Sequence, residues 1–330
     1  MFSRFDVCTI GAGTRDVFVR STHFEREKDA NAPDGFDARL PMGAKIAVDD
    51  VIFETGGGAT NAAVTFQRFG LRTNCICRVG DDQNGREVLD VLHENKIKVK
   101  ETQVGYKEKT SYSLIILAGT GQRSILAYRG AAAQLNPDLI NWRKVKTKWI
   151  YLTSISDDLK RIKPIFAHAK KAGIKIAWNP GNGELHHGLT GLRQLIKQTD
   201  ILIMNREEAA GLAEKAPRHL ESVMKKLGPL PLTALVVTDG PHGAYYFDPK
   251  NKKLIFGDAL PGRRINTTGA GDAFGSAFVA AFIKTDDLEQ GLRAGMNNSL
   301  GVITHMGAKA GILKSYPSHK DLAKVRVRLL

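Results

Sequence analysis

Cysteine is scarce in this chain. Cys8, Cys75 and Cys77 are the only three in 330 residues. An odd count with no C-x-x-C spacing excludes a disulfide framework and a structural zinc site. Cys75 and Cys77 stand two apart, so they share one face of a strand and pack as small apolar groups. Aromatics are only 7% of residues. No apolar run approaches the roughly 20 residues that would span a bilayer. The start, Met1 to Asp6, passes straight into a strand-like run without the apolar core of a signal peptide, so the expectation is a cytoplasmic protein. The dipeptide Gly-Lys does not occur, which removes the Walker A loop, and neither H-E-x-x-H nor G-x-S-x-G is present.

What is abundant is positive charge. Lys and Arg total 48 against 34 Asp and Glu, a net charge of +14. The basic groups, at 143–148, 250–253 and 324–328, are dispersed along the chain and none is interleaved with aromatics. They read as a solvated positive surface rather than a nucleic-acid footprint. Such a field also helps collect anionic nucleotides. Hydrophobic content of 42% and charged content of 25% are those of a soluble globular protein.

Apolar strand-like runs alternate with helix-like patterns over most of the length. Strands are expected at 5–10, 72–79, 149–152, 174–178, 201–204 and 235–238. Helices are expected at 59–69, 84–94, 160–171, 189–196, 207–213 and 288–305. This alternation gives an α/β fold with a mostly parallel sheet covered on both faces. Ligands of such sheets bind beyond the carboxyl ends of the strands. Two segments break the pattern. Residues 15–53 are polar and turn-rich, with Pro33, Gly35, Pro41 and Gly43. Residues 110–128 alternate like a hairpin, with a turn at Ala118-Gly119-Thr120-Gly121. Neither segment is expected to contribute core.

Two glycine clusters each open onto an apolar helix pattern. In Ile265-Asn266-Thr267-Thr268-Gly269-Ala270-Gly271-Asp272, the amides of Gly269, Ala270, Gly271 and Asp272 fall at a helix N-terminus, which attracts anions. Asp272 places a carboxylate at the mouth of that site, the pairing that phosphoryl transfer to a hydroxyl requires. The plainer alternative is a turn with Asp272 as a helix cap. In Gly56-Gly57-Gly58-Ala59-Thr60-Asn61 the glycines strip side chains from a patch of surface, and Asn61 offers a donor and an acceptor to hydroxyls. Close helix–sheet packing is the competing explanation. A third run, Gly11-Ala12-Gly13, imitates a dinucleotide fingerprint, but Asp16 stands where its last glycine belongs.

Taken together, the two clusters resemble the ribokinase-like (PfkB) family of carbohydrate and nucleoside kinases. Gly57 to Ala63 is similar to that family's Gly-Gly-x-x-x-Asn-x-Ala, allowing for one residue of spacing, and Phe69-Gly70 follows. Thr267 to Asp272 reproduces its Thr-x-Gly-Ala-Gly-Asp. Two long motifs in the right order, one near each end of the chain, are far more specific than either alone.

The resemblance implies a single ribokinase-like domain over residues 1–330, three-layer α/β/α, with a small β-sheet lid built from about 15–53 and 108–130. Closure of such a lid excludes water from the reaction. The implied activity is transfer of the γ-phosphoryl group of ATP to a primary hydroxyl of a sugar. A nucleoside kinase of the same fold is the alternative, and a non-catalytic nucleic-acid-binding protein is a third reading. Asp272 is the expected base and the amides of Gly269, Ala270 and Gly271 the anion hole. Asp16, Gly57, Gly58 and Asn61 are the expected sugar site, and Arg123 or Arg129 would suit an acidic acceptor. Asn179, Asn205, Thr238, Gly240, Gly243 and Asn298 are expected on the nucleotide, and Glu208 on Mg²⁺ through water. Asn205 and Glu208 also read as a helix cap with a first-turn acid. Most members of the family carry Asp where this chain has Asn266, in a loop that helps several of them bind a monovalent cation. The amide removes a negative charge, so K⁺ activation is expected to be weak or absent. A homodimer through an exposed lid sheet is also implied.

Overall fold

The computed structural model describes residues 4–29, 35–117 and 123–330. A sheet of nine strands runs through the middle, in the order Val327–Leu329, Lys253–Gly257, Ala244–Asp248, Ala234–Thr238, Ile201–Asn205, Lys175–Trp178, Thr147–Leu152, Phe5–Ile10 and Thr73–Ile76. From Ala234–Thr238 to Thr73–Ile76 every pairing is parallel, and the remaining edge is antiparallel. The parallel strands are short continuous apolar runs because both of their faces are covered.

The strand Ile201–Asn205 shows how the layers arise. Leu202 and Met204 enter a core with Trp178, Ile162, Phe166 and Leu192. Ile201 and Ile203 enter the opposite core with Phe66, Tyr151, Phe274 and Phe278. The period of two along a strand sends alternate residues to opposite faces. Helices Leu159–Ala172, Gly188–Ile196, Arg206–Ala213 and Leu220–Leu227 cover the first face; Gly58–Arg68 and Ala270–Thr285 cover the second. The expected strand at 72–79 is broken at Cys77: Thr73–Ile76 joins the central sheet, while Arg78–Gly80 pairs with Gln103–Gly105. The late helix ends at Ile303, two residues before its expected end. Among the described residues no helix is long and apolar enough to cross a membrane.

A second sheet has four strands, Arg123–Tyr128, Ser111–Leu117, Thr14–Arg20 and Asp50–Gly56. It has a small core of its own, Phe18, Ile115 and Leu117 packed with Ile52 and Met306. That corrects the expectation that these segments bury nothing: each supplies a strand whose inner face is apolar. The strands Glu25–Lys28 and Phe36–Arg39 form a separate hairpin. Pro33 and the expected turn at 118–121 lie outside the described residues. Asp16 belongs to Thr14–Arg20 and lies opposite Glu54 in Asp50–Gly56.

The foot of the Ser111–Leu117 and Arg123–Tyr128 hairpin is fastened at one point. Asp82 caps helix Gln83–Glu94 by accepting from the Gly85 amide at 2.8 Å. It also accepts from the Thr110 amide at 2.8 Å and the Thr110 hydroxyl at 2.6 Å. On the returning strand, Ser111 Oγ donates to the Arg129 carbonyl, and the Ala131 amide donates to the Lys109 carbonyl at 2.8 Å. Burial pushes the Asp82 carboxyl up, but the Thr110 and Gly85 donors outweigh it and hold the group below the usual carboxylate range.

Candidate active site

Helix Ala270–Thr285 starts at Gly269, whose φ of 81° lies in the left-handed region that favours glycine. A Cβ there would lie 2.5 Å from the Ala308 Cβ. Two residues on, a Cβ at Gly271 would meet nothing within 4 Å. The Ala270 amide turns back to the Thr267 carbonyl at 3.2 Å. Among the described residues, the amides of Gly269, Gly271 and Asp272 have no acceptor. Of the four amides expected at this helix N-terminus, that of Ala270 is therefore the one already engaged within the protein. The loop is folded by the Thr268 amide, which donates to Asn266 Oδ1 at 2.8 Å. Asn266 Nδ2 and Thr268 Oγ1 are buried there without partners.

Asp272 sits in the first turn of this helix, above a run from Ala273 to Phe282 that is buried on all sides. Asp272 is therefore mounted on core rather than on a loop. Asn61 Nδ2 donates to Asp272 Oδ2 at 2.8 Å. Burial pushes the Asp272 carboxyl above its ordinary range, the Asn61 hydrogen bond and Lys309 pull it down, and Asp16 pushes it up. Asn61 lies in the first turn of helix Gly58–Arg68, and its Oδ1 is buried with no partner. Asn61 was expected on the sugar; its amide group is bonded to the Asp272 carboxylate.

The Asp16 carboxylate is nearly buried, and its Oδ1 accepts from the Thr14 hydroxyl at 3.0 Å. The neighbouring glycines are shaped by the protein itself. A Cβ on Gly56 would fall 1.9 Å from Asp16 Oδ2, one on Gly57 2.4 Å from the Ala12 carbonyl oxygen, and one on Gly58 3.0 Å from the Thr153 Cβ. Gly57 also has a φ of 95°. Gly57 and Gly58 were expected to form a bare patch for a ligand; the Ala12 backbone crowds Gly57 and the Thr153 side chain crowds Gly58.

Lys309 was not singled out from the sequence. It lies in the loop after helix Leu288–Ile303, only 6% exposed, and its Nζ donates to the Thr55 carbonyl at 2.7 Å. Burial pushes its ammonium down to about 8, while Asp16, Asp272 and Glu54 pull in the opposite direction. The signal in the sequence is a single lysine inside the small, uncharged run Met306-Gly307-Ala308-Lys309-Ala310-Gly311-Ile312.

On the other side of the helix N-terminus, Asn205 and Glu208 form a capping box. Asn205 Oδ1 accepts from the Glu208 amide at 2.8 Å, and Glu208 Oε2 accepts from the Asn205 amide at 2.9 Å. Burial raises the Glu208 carboxyl against the pull of the Asn205 amide, and Glu207 and Asp272 raise it further. Glu208 borders a cavity between the two sheets together with Thr14, Ser113, Tyr128, Arg129 and Ser154. Asn179 Nδ2 donates to the Ile203 carbonyl at 2.9 Å, bridging two strand ends. Thr238 ends the strand Ala234–Thr238, and Gly240 follows with a φ of 51° and open space around it. Gly243 is different: a Cβ there would lie 2.2 Å from the Gly257 carbonyl oxygen, so sheet packing requires that glycine.

Beside Gly240 and Thr267 lies a small open cleft of about 140 Å³ walled by Leu260, Met296, Leu300 and Ile303, an apolar lining that suits a flat ring system. Asn298 does not line it. Its Nδ2 donates to Thr65 Oγ1 at 3.2 Å and to the Ala273 carbonyl at 2.9 Å, and its Oδ1 accepts from the Leu313 amide at 3.0 Å. Helical register explains this correction: Met296, Leu300 and Ile303 face the cleft, and Asn298 faces the neighbouring helices. Among the described residues no three His, Cys, Asp or Glu side chains gather as a metal cluster.

A carboxylate beside free amides at a helix N-terminus, flanked by an apolar cleft and a polar cavity, has counterparts elsewhere. Residues 30–314 match the pfkB family carbohydrate kinase. The chain belongs to the pfkB family of carbohydrate kinases. Fructokinase-2 of Oryza sativa subsp. japonica is 27% identical over 283 residues, covering 80% of this chain and 82% of the relative. The ribokinase of Bacillus subtilis (strain 168) is 24% identical over 310 residues, 93% of this chain and 96% of the relative. The Arabidopsis thaliana ribokinase solved with ribose and ATP superposes with a TM-score of 0.77 at 21% identity, covering 98% of each chain. In this pfkB kinase, then, the fold joins Asn61 to Asp272 and buries Lys309 against strand Asp50–Gly56. Gly57, Gly58, Gly243 and Asn298 are closely packed by the protein itself.

Proposed function

We propose that the chain transfers the γ-phosphoryl group of ATP to a primary hydroxyl of a sugar, as one kinase domain in which segments 15–53 and 108–130 act as the lid. The observation that carries this reading is the half-buried Asp272 carboxylate, held at 2.8 Å by Asn61, directly beside unpaired amides at a helix N-terminus. Asp272 takes the proton of the attacking hydroxyl. The amides of Gly269, Gly271 and Asp272 meet the charge that builds on the transferring phosphoryl group, already oriented before the reaction begins. Asp16 accepts hydrogen bonds from neighbouring sugar hydroxyls, and the unpartnered Asn61 Oδ1 offers one more acceptor. The adenine lies in the cleft of Leu260, Met296 and Leu300, and the phosphates pass Gly240 and Thr267. Orphaned Asn266 Nδ2 and Thr268 Oγ1 suit a phosphate-lined pocket, since each is a buried group without a partner of its own.

Asn205 and Glu208 fit a Mg²⁺ ion held through water, because Glu208 Oε2 is committed to the cap while Oε1 has no hydrogen-bond partner among the described residues. When bound, the ion neutralises phosphate charge. A cytoplasmic setting goes with this reading, in keeping with three buried free thiols. The outer face of the small sheet, with Val51, Phe53 and Leu126 exposed, supports a homodimer through the lid.

The test is ADP release with Mg-ATP over a panel of sugars, sugar acids, sugar phosphates and nucleosides. One responsive sugar with a primary hydroxyl is the expected result. Turnover with nucleosides alone moves the acceptor to that class, and no turnover with any of them removes the reading.

A further inference from the structure

A polar cavity of about 350 Å³ shares no lining residue with the cavities beside Thr267 and Glu208. It lies at the foot of the hairpin formed by Ser111–Leu117 and Arg123–Tyr128. Arg78 is on strand Arg78–Gly80, Glu108 on the segment that enters the hairpin, and Asn136 and Asp138 on the turns that leave it. Lys160 and Arg161 close the cavity from helix Leu159–Ala172. The protein itself fixes these walls. Arg161 Nη1 donates to the carbonyls of Ala133 at 3.1 Å and Leu135 at 3.3 Å. Gln103 Nε2 donates to the Asn136 carbonyl at 2.6 Å, and its Oε1 accepts from the Asn136 amide at 3.0 Å. Arg78 Nη2 donates to Glu108 Oε2 at 3.1 Å. Charge is left over. Lys160 and Asp138 bond through their backbone amides, to Asp158 Oδ1 and Asn136 Oδ1, and their charged ends have no partner among the described residues. Arg78 Nε is buried without a partner. Lys160 and Arg161 also stand in the first turn of their helix, which holds no acid. That end of a helix favours anions and disfavours cations, so an anion in the cavity would relieve both cations and the helix end together.

We propose that this cavity is an effector site for a small phosphorylated polyol. The phosphate lies against Arg78, Lys160 and Arg161, and a hydroxyl donates to the Asp138 carboxylate. Arginine and lysine supply the charged donors that phosphate oxygens take. An ionised carboxylate only accepts, so Asp138 holds a hydroxyl and repels a second anionic group. The cavity is of a size for a small organic molecule rather than for inorganic phosphate alone, and Leu139, its one apolar side chain, offers too little surface for a nucleobase. A bound ligand would bridge helix Leu159–Ala172 to the segments on which the hairpin stands. Its occupancy therefore biases the tilt of the small sheet, and with it the binding of the acceptor. The product of the reaction proposed above belongs to the same chemical class. The binding site stands without that reading; only the effect on turnover rests on it.

Two measurements test it. The first needs neither ATP nor an acceptor. Amide shifts of the ¹⁵N-labelled full chain are followed as glycerol 3-phosphate, ribose 5-phosphate, glycerol and inorganic phosphate are added in separate titrations. Both esters are expected to shift the amides of 134–138 and 160–161 with a midpoint below about 1 mM, and glycerol to leave them in place. Shifts confined to 267–272 put the anion at the helix Ala270–Thr285 instead and overturn the proposal, as does the absence of any shift. Inorganic phosphate binding the cavity as tightly as both esters overturns the polyol. Lys160→Glu and Lys160→Met are each expected to weaken binding at the cavity by about tenfold or more, with any shifts at 267–272 unchanged. Both variants should keep the helix, since an acid or a neutral side chain suits its first turn better than a lysine. Wild-type affinity in both overturns the proposal. The second measurement uses whichever acceptor the panel identifies. Saturating glycerol 3-phosphate is expected to change the KM for that acceptor by about threefold or more in the wild type and not in Lys160→Glu. An unchanged KM in the wild type overturns the regulatory role. Failure of the kinase reading leaves the shift titration standing, so the two ideas fall separately.

Discussion

The two glycine clusters look alike in sequence and differ in what makes them glycine. At Gly56, Gly57 and Gly58 the protein itself occupies the space where a side chain would go: the Asp16 carboxylate, the Ala12 carbonyl and Thr153. At Gly269 the same holds, through Ala308. At Gly271 nothing in the protein fills that space. A glycine with no protein reason to be small, in the first turn of a helix with free amides, is where a ligand reaches the backbone. The first cluster builds the wall of the site, and the second leaves a gap in it.

The sharpest way to break this picture is Asp272→Asn. Turnover should fall by about 10³-fold or more, with nucleotide affinity nearly unchanged. Melting should tell the rest. Burial raises the folded-state affinity of Asp272 for its proton above that of the unfolded chain. The contribution of this group to stability is therefore present below the unfolded pKa and lost as pH rises through the folded one. At neutral pH the ionised carboxylate costs stability, so the Asn variant should melt higher than wild type, and a lower melting point would contradict the burial argument.

Gly57→Ala and Gly271→Ala should separate next. The first forces a Cβ to 2.4 Å from a carbonyl oxygen at a φ of 95°, and a loss of about 2–4 kcal/mol in denaturant unfolding is expected. The second replaces a helical glycine in open space, so stability should rise by up to about 1 kcal/mol, while kcat drops as the methyl group crowds the phosphoryl position. Equal stability effects in the two variants would erase the distinction between the clusters. Asn298→Ala should destabilise by roughly 1–3 kcal/mol, because three hydrogen bonds are lost in a buried place, yet leave the KM for ATP within about twofold if the cleft belongs to Met296 and Leu300.

The smallest effect concerns monovalent cations. Asn266 presents a buried amide nitrogen without a partner where a carboxylate would attract a cation. Replacing Na⁺ by K⁺ in the assay should change kcat by less than about twofold. Activation of tenfold or more would contradict it.

The layered α/β architecture was legible because its strands are unbroken apolar runs and its helices keep their period. The expected strand at 5–10 and the helices at 84–94 and 189–196 fall within a residue of those observed. The break at Cys77 was not legible, since a change of sheet partner leaves no mark on local hydrophobicity. Asp272, Asn61 and Asp16 could be named from motifs. Their mutual arrangement could not, because it spans strands and helices far apart in the chain. Asn298 misled because a polar residue in a helix carries no sign of which neighbour satisfies it. Lys309 escaped because a lone lysine ordinarily means surface; only burial distinguishes it.

The fastening of Thr110 to Asp82 gives the small sheet a fulcrum. With both strands of the hairpin tied together at Lys109, Ser111, Arg129 and Ala131, a tilt of the hairpin would pivot at its foot. Strand Thr14–Arg20 is hydrogen-bonded alongside it from Thr14 to Arg20, so a tilt takes Asp16 with it, while Asp272 stays on the core helix. The two carboxylates stand on separate elements, so a swing of the small sheet would change the distance between them.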